Sequence, residues 1–439
     1  MEFPGSNSAV SKSLRPLFHF APERNWMNDP NGLIFYKGNY HLFFQYNPEG
    51  DQWGNMSWGH ATSTDLINWQ HHPVAIPYSA THGIFSGSAV VDYFNTSGFG
   101  SLSNPAMVAI YTDHNHDGSH QAQSLAYSVD EGLTWTKYEN NPVLDLSMKD
   151  FRDPKVSWNT TNEAWVMSVV KPQEFTVCFY QSEDLKNWTL LSEFSNINGT
   201  DGVWECPDLF PLPVDGDATK IKWILFISVN PGGLTGGSGT HYFIGDWDGK
   251  EFTADDRTTR WLDYGRDNYA GVTWNDAPNN RCVYLGWMNN WEYAKDIPAN
   301  PYRGSMTAPR ELSLVTIDNK ITLIQTPIKE ISTVAGAIQR FTITPQSIKS
   351  GIRFTDSDNR QIEIGYDPIE KVLYLDRTQM CSDGLVGDIQ SAPFNNENKS
   401  FEVDVILDNG SIEILAGGGS ISISALLAGS PIDLQATTF

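Results

Sequence analysis

Three short stretches hold acids in settings suited to nucleophilic or acid–base chemistry: Trp26-Met27-Asn28-Asp29-Pro30-Asn31-Gly32, Phe151-Arg152-Asp153-Pro154 and Trp204-Glu205-Cys206-Pro207-Asp208. In each, a carboxylate stands one or two residues before a proline, beside an aromatic or an arginine. Proline fixes its own φ, offers no N–H and pushes the preceding residue towards an extended conformation, so these acids are held and not floppy. Asn31-Gly32 supplies turn chemistry, and the strand carrying Asp29 is expected to end there at a tight corner that presents the carboxylate. Taken alone, a Pro-Asn-Gly turn with locally satisfied side chains accounts for the first stretch. Recurrence of the pattern points instead to three acids meeting at one site.

The elements that would bring them together are announced by a repeat. Ser63-Thr64-Asp65-Leu66-Ile67-Asn68-Trp69 returns in outline as Ser128 to Trp135 and Ser182 to Trp188, with a degenerate copy from Asp246 to Phe252. The anchoring aromatics at 69, 135, 188 and 252 are about sixty residues apart, which suits a four-stranded propeller blade with long loops. Each copy follows an alternating strand-like run, such as Trp58 to Thr62 or Thr176 to Gln181. A fifth blade is expected around Asn268 to Leu314. Helix patterns are nearly absent. The three acids then fall near the starts of blades, at one mouth of a central channel. After Trp291 tryptophan disappears, and short alternating segments such as Phe401-Glu402-Val403-Asp404-Val405 read as a second domain. The expected architecture is all-β: a five-bladed β-propeller over residues 15–326 and a β-sandwich over 327–439.

Composition narrows the partners. With 52 acidic against 29 basic residues the formal charge is −23, which disfavours nucleic acid and anionic membrane surfaces. A neutral substrate fits better, and 15 Trp, 17 Tyr and 22 Phe could stack on sugar faces as well as fill a core. Cys178, Cys206, Cys282 and Cys381 are too scattered for a disulfide framework or a zinc site. Sequons at Asn55, Asn95, Asn159, Asn187, Asn198, Asn398 and Asn409 favour a secreted glycoprotein. Met1 to Arg15 has no apolar h-region, and Glu2-Phe3 reads as a cloning scar ahead of a mature domain.

In these motifs the chain resembles glycoside hydrolase family 32, the invertases, inulinases and levanases that act on β-fructofuranosides. Beyond the three acid stretches, the resemblance rests on Phe85-Ser86-Gly87-Ser88, Gly286-Trp287-Met288-Asn289-Asn290-Trp291 and Pro309-Arg310-Glu311-Leu312. It implies a retaining hydrolase acting on sucrose or fructans, without cofactor or metal, and it allows a homodimer. Asp29 would be the nucleophile and Glu205 the acid/base, its pKa raised by burial beside Trp204 and Pro207. Asp153 would stabilise the transition state, oriented by Arg152 through a charge-assisted contact. In a retaining enzyme the Asp29 and Glu205 carboxyls stand about 5 to 5.5 Å apart. The resemblance assigns fructose contacts to Asn28, Gln45, Trp53, Phe85, Ser86, Arg152 and Trp291. Asp208, Asp267 and Tyr293 could bind substrate or serve as local caps. Asn268 and Tyr302 depart from the family pattern and are expected to reshape the pocket rim.

Two tempting features have plainer readings. Asp113-x-Asn115-x-Asp117-Gly118, with His114, His116 and His120, imitates a calcium loop, but Ser124 stands where the bidentate glutamate belongs, so a polar loop at the channel mouth is expected. Gly232 to Gly239 lacks the lysine of a phosphate loop and reads as a turn. The same acids would also serve a fructosyltransferase, and a five-bladed arabinoside hydrolase matches the motifs less well. A sugar-binding propeller that has lost catalysis would not need the full set.

Overall fold

The computed structural model describes residues 15–195, 202–299, 301–380, 384–396, 399–428 and 434–439. Asn198, Asn398 and Cys381 lie outside them. Four sheets, antiparallel within each blade, form a ring of five blades; the fourth and fifth blades share one nine-stranded sheet, joined where Val214 pairs in parallel with Leu314. Their inner strands are Asn25–Tyr36, His82–Val91, Arg152–Asn159, Val203–Val214 and Tyr269–Thr273, and each packs against the next, the fifth returning to the first. The ring is latched by Tyr302–Arg303, which pairs in parallel with Asn25 and Trp26. Because both faces of a blade are covered, strands read as continuous apolar runs, as in Ile224 to Ile227. Each interface between blades has its own core, such as Ile34, Phe43 and Trp58 against Ile84, Ala109 and Tyr111.

The sequence repeat marks the turn from the third to the fourth strand of a blade. In the first copy Asp65 Oδ1 accepts the N–H groups of Ile67 (3.0 Å) and Asn68 (2.7 Å), and Trp69 Nε1 donates to Leu66 O at 3.2 Å. In the third, Asp184 Oδ1 accepts from Lys186 (2.9 Å) and Asn187 (2.8 Å), and Trp188 Nε1 donates to Leu185 O at 2.9 Å. Asp248 does the same for Lys250 and Glu251, both at 2.8 Å. The aspartate recurs because its carboxylate accepts the N–H groups that the tight turn leaves without backbone partners.

A second all-β unit follows, a sandwich of two sheets. One contains Ile338–Ile343, Phe401–Asp408, Ser411–Ala416 and Ile421–Leu426; the other contains Ser350–Thr355, Gln361–Asp367, Val372–Asp376, Ile389–Pro393 and Gln435–Thr438. Alternating inward residues, among them Ile362, Ile364, Val403 and Val405, form its core. Buried ions join it to the propeller. Arg310 of the family motif is fully buried, contacts Glu413 and Asp263, and donates to Ser422 and Ser424 at 2.6 Å each. His19 bridges Asp408 and Glu413 at 2.7 Å each.

One expectation about Asp29 is overturned. The strand does not end at Asn31-Gly32; it runs unbroken to Tyr36, with register shifts on either side of Pro30-Asn31. Gly32 is required for close approach: at φ +54° a Cβ there would stand 2.6 Å from the Phe43 ring and 2.9 Å from Trp58. Register shifts recur in the other four inner strands, at Ile84/Gly87, Arg152/Lys155, Glu205/Asp208 and Tyr269/Val272. Every blade thus carries a bulge at the same mouth of the channel. A bulge re-aims side chains out of the pleat, so five of them gather residues that a regular strand would spread over both faces.

Candidate active site

The bulges bring Asp29, Ser86, Asp153, Glu205, Cys206 and Tyr269 together. Asp29 accepts hydrogen bonds from Ser86 Oγ (2.7 Å) and Asn28 Nδ2 (2.9 Å). Asn28 is itself fixed by Trp26 Nε1, which donates to its Oδ1 at 2.8 Å. Burial pushes the Asp29 carboxyl up to about 6; Ser86 and Asn28 oppose the shift and the charge of Glu205 adds to it. Asp153 is buried, at φ +66°, and its Oδ2 accepts the Cys206 N–H at 3.0 Å. Desolvation, with Glu205 and Asp29 adding to it, raises its pKa against the pull of Arg152. The Cys206 sulfur lies 3.8 Å from Asp29 Oδ2 and 3.7 Å from Asp153 Oδ2, so one side chain touches both acids.

Two expected contacts differ. Arg152 does not hydrogen-bond Asp153, from whose Oδ2 its Nε stands 3.9 Å away; it binds Glu205 Oε1, at 3.1 Å from Nε and 3.0 Å from Nη2. Positive φ at Asp153 turns its carboxylate towards the neighbouring strand and leaves the guanidinium to Glu205. Glu205 is not enclosed by Trp204 and Pro207. Trp204 is fully buried in the core between the third and fourth blades, whereas the Glu205 carboxylate is partly open and accepts from Arg152 and from the Tyr269 hydroxyl.

The remaining candidates divide. Gln45 is buried and spends its N–H groups on Asn31 Oδ1 (2.8 Å) and Ile84 O (3.0 Å), leaving its carbonyl oxygen for a ligand. Trp291 stacks on Trp26 with centroids 5.9 Å apart, and Trp53, 41% exposed, meets the edge of Phe85 at 6.0 Å. Asp208 serves the channel, accepting from Thr273 N–H (2.7 Å) and Oγ1 (2.8 Å) beside Lys155. Asp267 and Tyr293 bond each other and meet Arg377 of the sandwich, at 2.9 Å from Asp267. Asn268 and Tyr302 do not shape the rim through an exposed side chain. Asn268 is buried and accepts from Tyr284 (2.6 Å), and Tyr302 lines a cleft between propeller and sandwich. In the calcium-like loop, Asp117 accepts the Ser119 N–H at 2.9 Å and His120 bonds Asp145 at 2.8 Å.

Sequence reasoning missed the supports. Thr112 Oγ1 accepts the Asp153 N–H at 2.9 Å, Gln121 Oε1 accepts the Phe151 N–H at 2.9 Å, and Gln123 Nε2 donates to Phe151 O at 2.8 Å. All three are buried on the second blade. The signal was present as Gln121-x-Gln123, two amides on one side of a strand in an apolar run. Tyr269 carried no signal beyond a tyrosine among strand residues.

Three clustered carboxylates, two of them beside one guanidinium, walled by aromatics at the mouth of a five-bladed propeller, define a glycoside hydrolase. The model of the glycosyl hydrolases family 32 N-terminal domain matches residues 19–327, and that of the family 32 C terminal matches 310–432. The levanase of Bacillus subtilis (strain 168) is 41% identical, covering 96% of this chain and 67% of that protein. An extracellular exo-inulinase of Aspergillus niger is 37% identical, covering 94% and 89%. The crystal structure of an Aspergillus awamori exo-inulinase superposes with a TM-score of 0.88 at 36% identity, over 97% of this chain and 95% of that one. The chain belongs to glycosyl hydrolases family 32.

Proposed function

We propose that the protein is a secreted, retaining β-fructofuranosidase that releases fructose from the non-reducing end of sucrose or fructans. The observation that carries this is the gathering of Asp29, Asp153 and Glu205 by three bulged strands, with Cys206 touching both aspartates and Arg152 beside Asp153 and Glu205. Asp29, aimed by Ser86 and Asn28, attacks the anomeric carbon and forms a fructosyl ester while Glu205 protonates the departing oxygen. In the second half, Glu205 takes a proton from the incoming water, which breaks the ester with net retention. Asp153 binds fructose hydroxyls and stabilises the cationic transition state. Burial and the charge of Glu205 raise the Asp29 and Asp153 carboxyls, against the pull of Arg152 on Asp153. Gln45, Phe85, Ser86, Trp53 and Trp291 shape the fructose pocket, with Asn28 and Arg152 acting chiefly on the carboxylates.

We take residues 15–326 as the catalytic unit and 327–439 as the sandwich, a division supported by Lys320–Pro327 closing the fifth blade and Ile338–Ile343 opening the next sheet. Secretion is supported by the extracellular relative and by exposure of the Asn187 sequon.

Product analysis on concentrated sucrose, with Asp29→Asn as control, tests the reading. Equal release of glucose and fructose is expected. Excess glucose would show transfer of fructose to sugar acceptors, and binding without release would overturn catalysis.

A further inference from the structure

His114 lies outside every motif that led to the site, yet it stands beside it. Its ring stacks on Phe85 with centroids 4.1 Å apart and planes 17° apart, and Phe85 in turn meets Trp53, so the three rings form one wall. Its Nδ1 is 3.2 Å from Gln121 Nε2.

The orientation of the Gln121 amide is fixed by its other end. Oε1 receives the Phe151 N–H at 2.9 Å and Arg152 Nη1 at 3.4 Å, two groups that can only donate. Nε2 is therefore the amide nitrogen, and it donates to Nδ1 of His114. An imidazole that accepts at Nδ1 carries its proton on Nε2. Burial, reinforced by His116 and Arg152 and opposed by Asp150 and Asp117, lowers the His114 pKa to about 4, so the ring is neutral over most of the working pH range. Nε2–H has no partner among the described residues, and it is not one of the buried polar atoms left without one. It is a fixed neutral donor in contact with solvent.

Its position follows from the same contacts. Arg152 binds Glu205 through Nε and Nη2 and Gln121 through Nη1, so His114 stands beyond the guanidinium from the acid/base. Glu205, beside which the leaving group would stand, is thus linked to His114 through Arg152 and Gln121. Glucose in sucrose and the next fructosyl unit in a fructan both bring hydroxyls that can accept from an N–H.

We infer that His114 is a specificity-determining residue, donating from Nε2 to a hydroxyl of the leaving sugar while its ring face holds Phe85. The inference rests on the fructosidase reading above, and it predicts discrimination between leaving groups with and without hydroxyls.

The test compares kcat/KM for sucrose and for methyl β-D-fructofuranoside, whose methanol leaving group offers no such hydroxyl. His114→Phe keeps the stack and removes the donor. It should lower the sucrose value by about tenfold, the size of one neutral hydrogen bond, and the methyl fructoside value by less than about twofold. His114→Gln, which restores an N–H, should recover most of the sucrose preference. Equal losses on both substrates, or an unchanged sucrose value, would overturn the inference. Should His114→Phe fail to unfold cooperatively, His114→Gln decides: a sucrose preference kept supports the donor and one lost rejects it. A wild-type protein inactive on both substrates would reject the fructosidase reading itself, and the inference with it.

Discussion

Raising the pH should loosen the attachment of the sandwich through His19. Its ring is buried between Asp408 Oδ2 and Glu413 Oε1, both at 2.7 Å. Burial alone would lower its pKa, but the two carboxylates more than reverse that and lift it from 6.5 to about 9. A histidine whose pKa is higher in the fold binds more protons folded than unfolded between those values. Its stabilisation is complete below 6.5, shrinks as the pH rises and is gone above about 9. At about 1.4 kcal/mol per pH unit the loss is about 3 kcal/mol. The side chain is 1% exposed, so solvent screening removes little of this. The assay is urea unfolding followed by tryptophan fluorescence between pH 6 and 10, on wild type and His19→Gln. Wild type should hold its midpoint below pH 6.5 and lose it progressively to about pH 9. His19→Gln should start about 3 kcal/mol or more lower, because two buried carboxylates lose a partner, and should lack that slope. A wild-type midpoint flat over this range, or the same slope in the variant, would refute the argument.

Asp29→Asn should reduce turnover at least about a thousandfold. It should also stabilise the fold near neutral pH by up to about 3 kcal/mol, because a carboxyl raised to about 6 destabilises the fold once ionised; chemical unfolding at pH 7.5 reads the sign. The same shift sets an acid limb, with kcat/KM falling as the pH drops below about 6 and Asp29 becomes protonated. Glu205→Gln should cost about 10² to 10⁴ on sucrose but far less on fructosyl fluoride, whose leaving group needs no proton. Equal losses on both would count against its acid role. Arg377→Met strands the buried Asp267 and should cost about 3–5 kcal/mol in unfolding free energy; a loss below about 1 kcal/mol would show the ion pair to be dispensable.

Much of the fold was legible because the blade repeat is local. Asp65, Asp130 and Asp184 each satisfy donors a few residues away, and such short-range chemistry leaves the same letters each time it recurs. The acids were legible for a related reason: each sits in a stretch whose proline and aromatic neighbours are close in sequence. The corner at Gly32 was misread because a glycine at positive φ looks the same whether the chain turns or a ring from the next strand lies over it. Only the position of Phe43 distinguishes the two.

What acts across blades could not be read. Arg152 hydrogen-bonds Glu205, 53 residues away, and meets its neighbour Asp153 only at 3.9 Å. Tyr269 reaches Glu205 from the fifth blade, and Arg377 reaches Asp267 from the other domain. The sequence by itself determined an all-β ring and singled out three acids that the fold brings to one mouth, since composition, turn signals and strand alternation are properties of short segments. The tertiary structure alone decided which cation faces which acid and which N–H of a histidine is left to donate. Those choices depend on strand register and on five bulges, where a shift of one residue exchanges one face of a strand for the other.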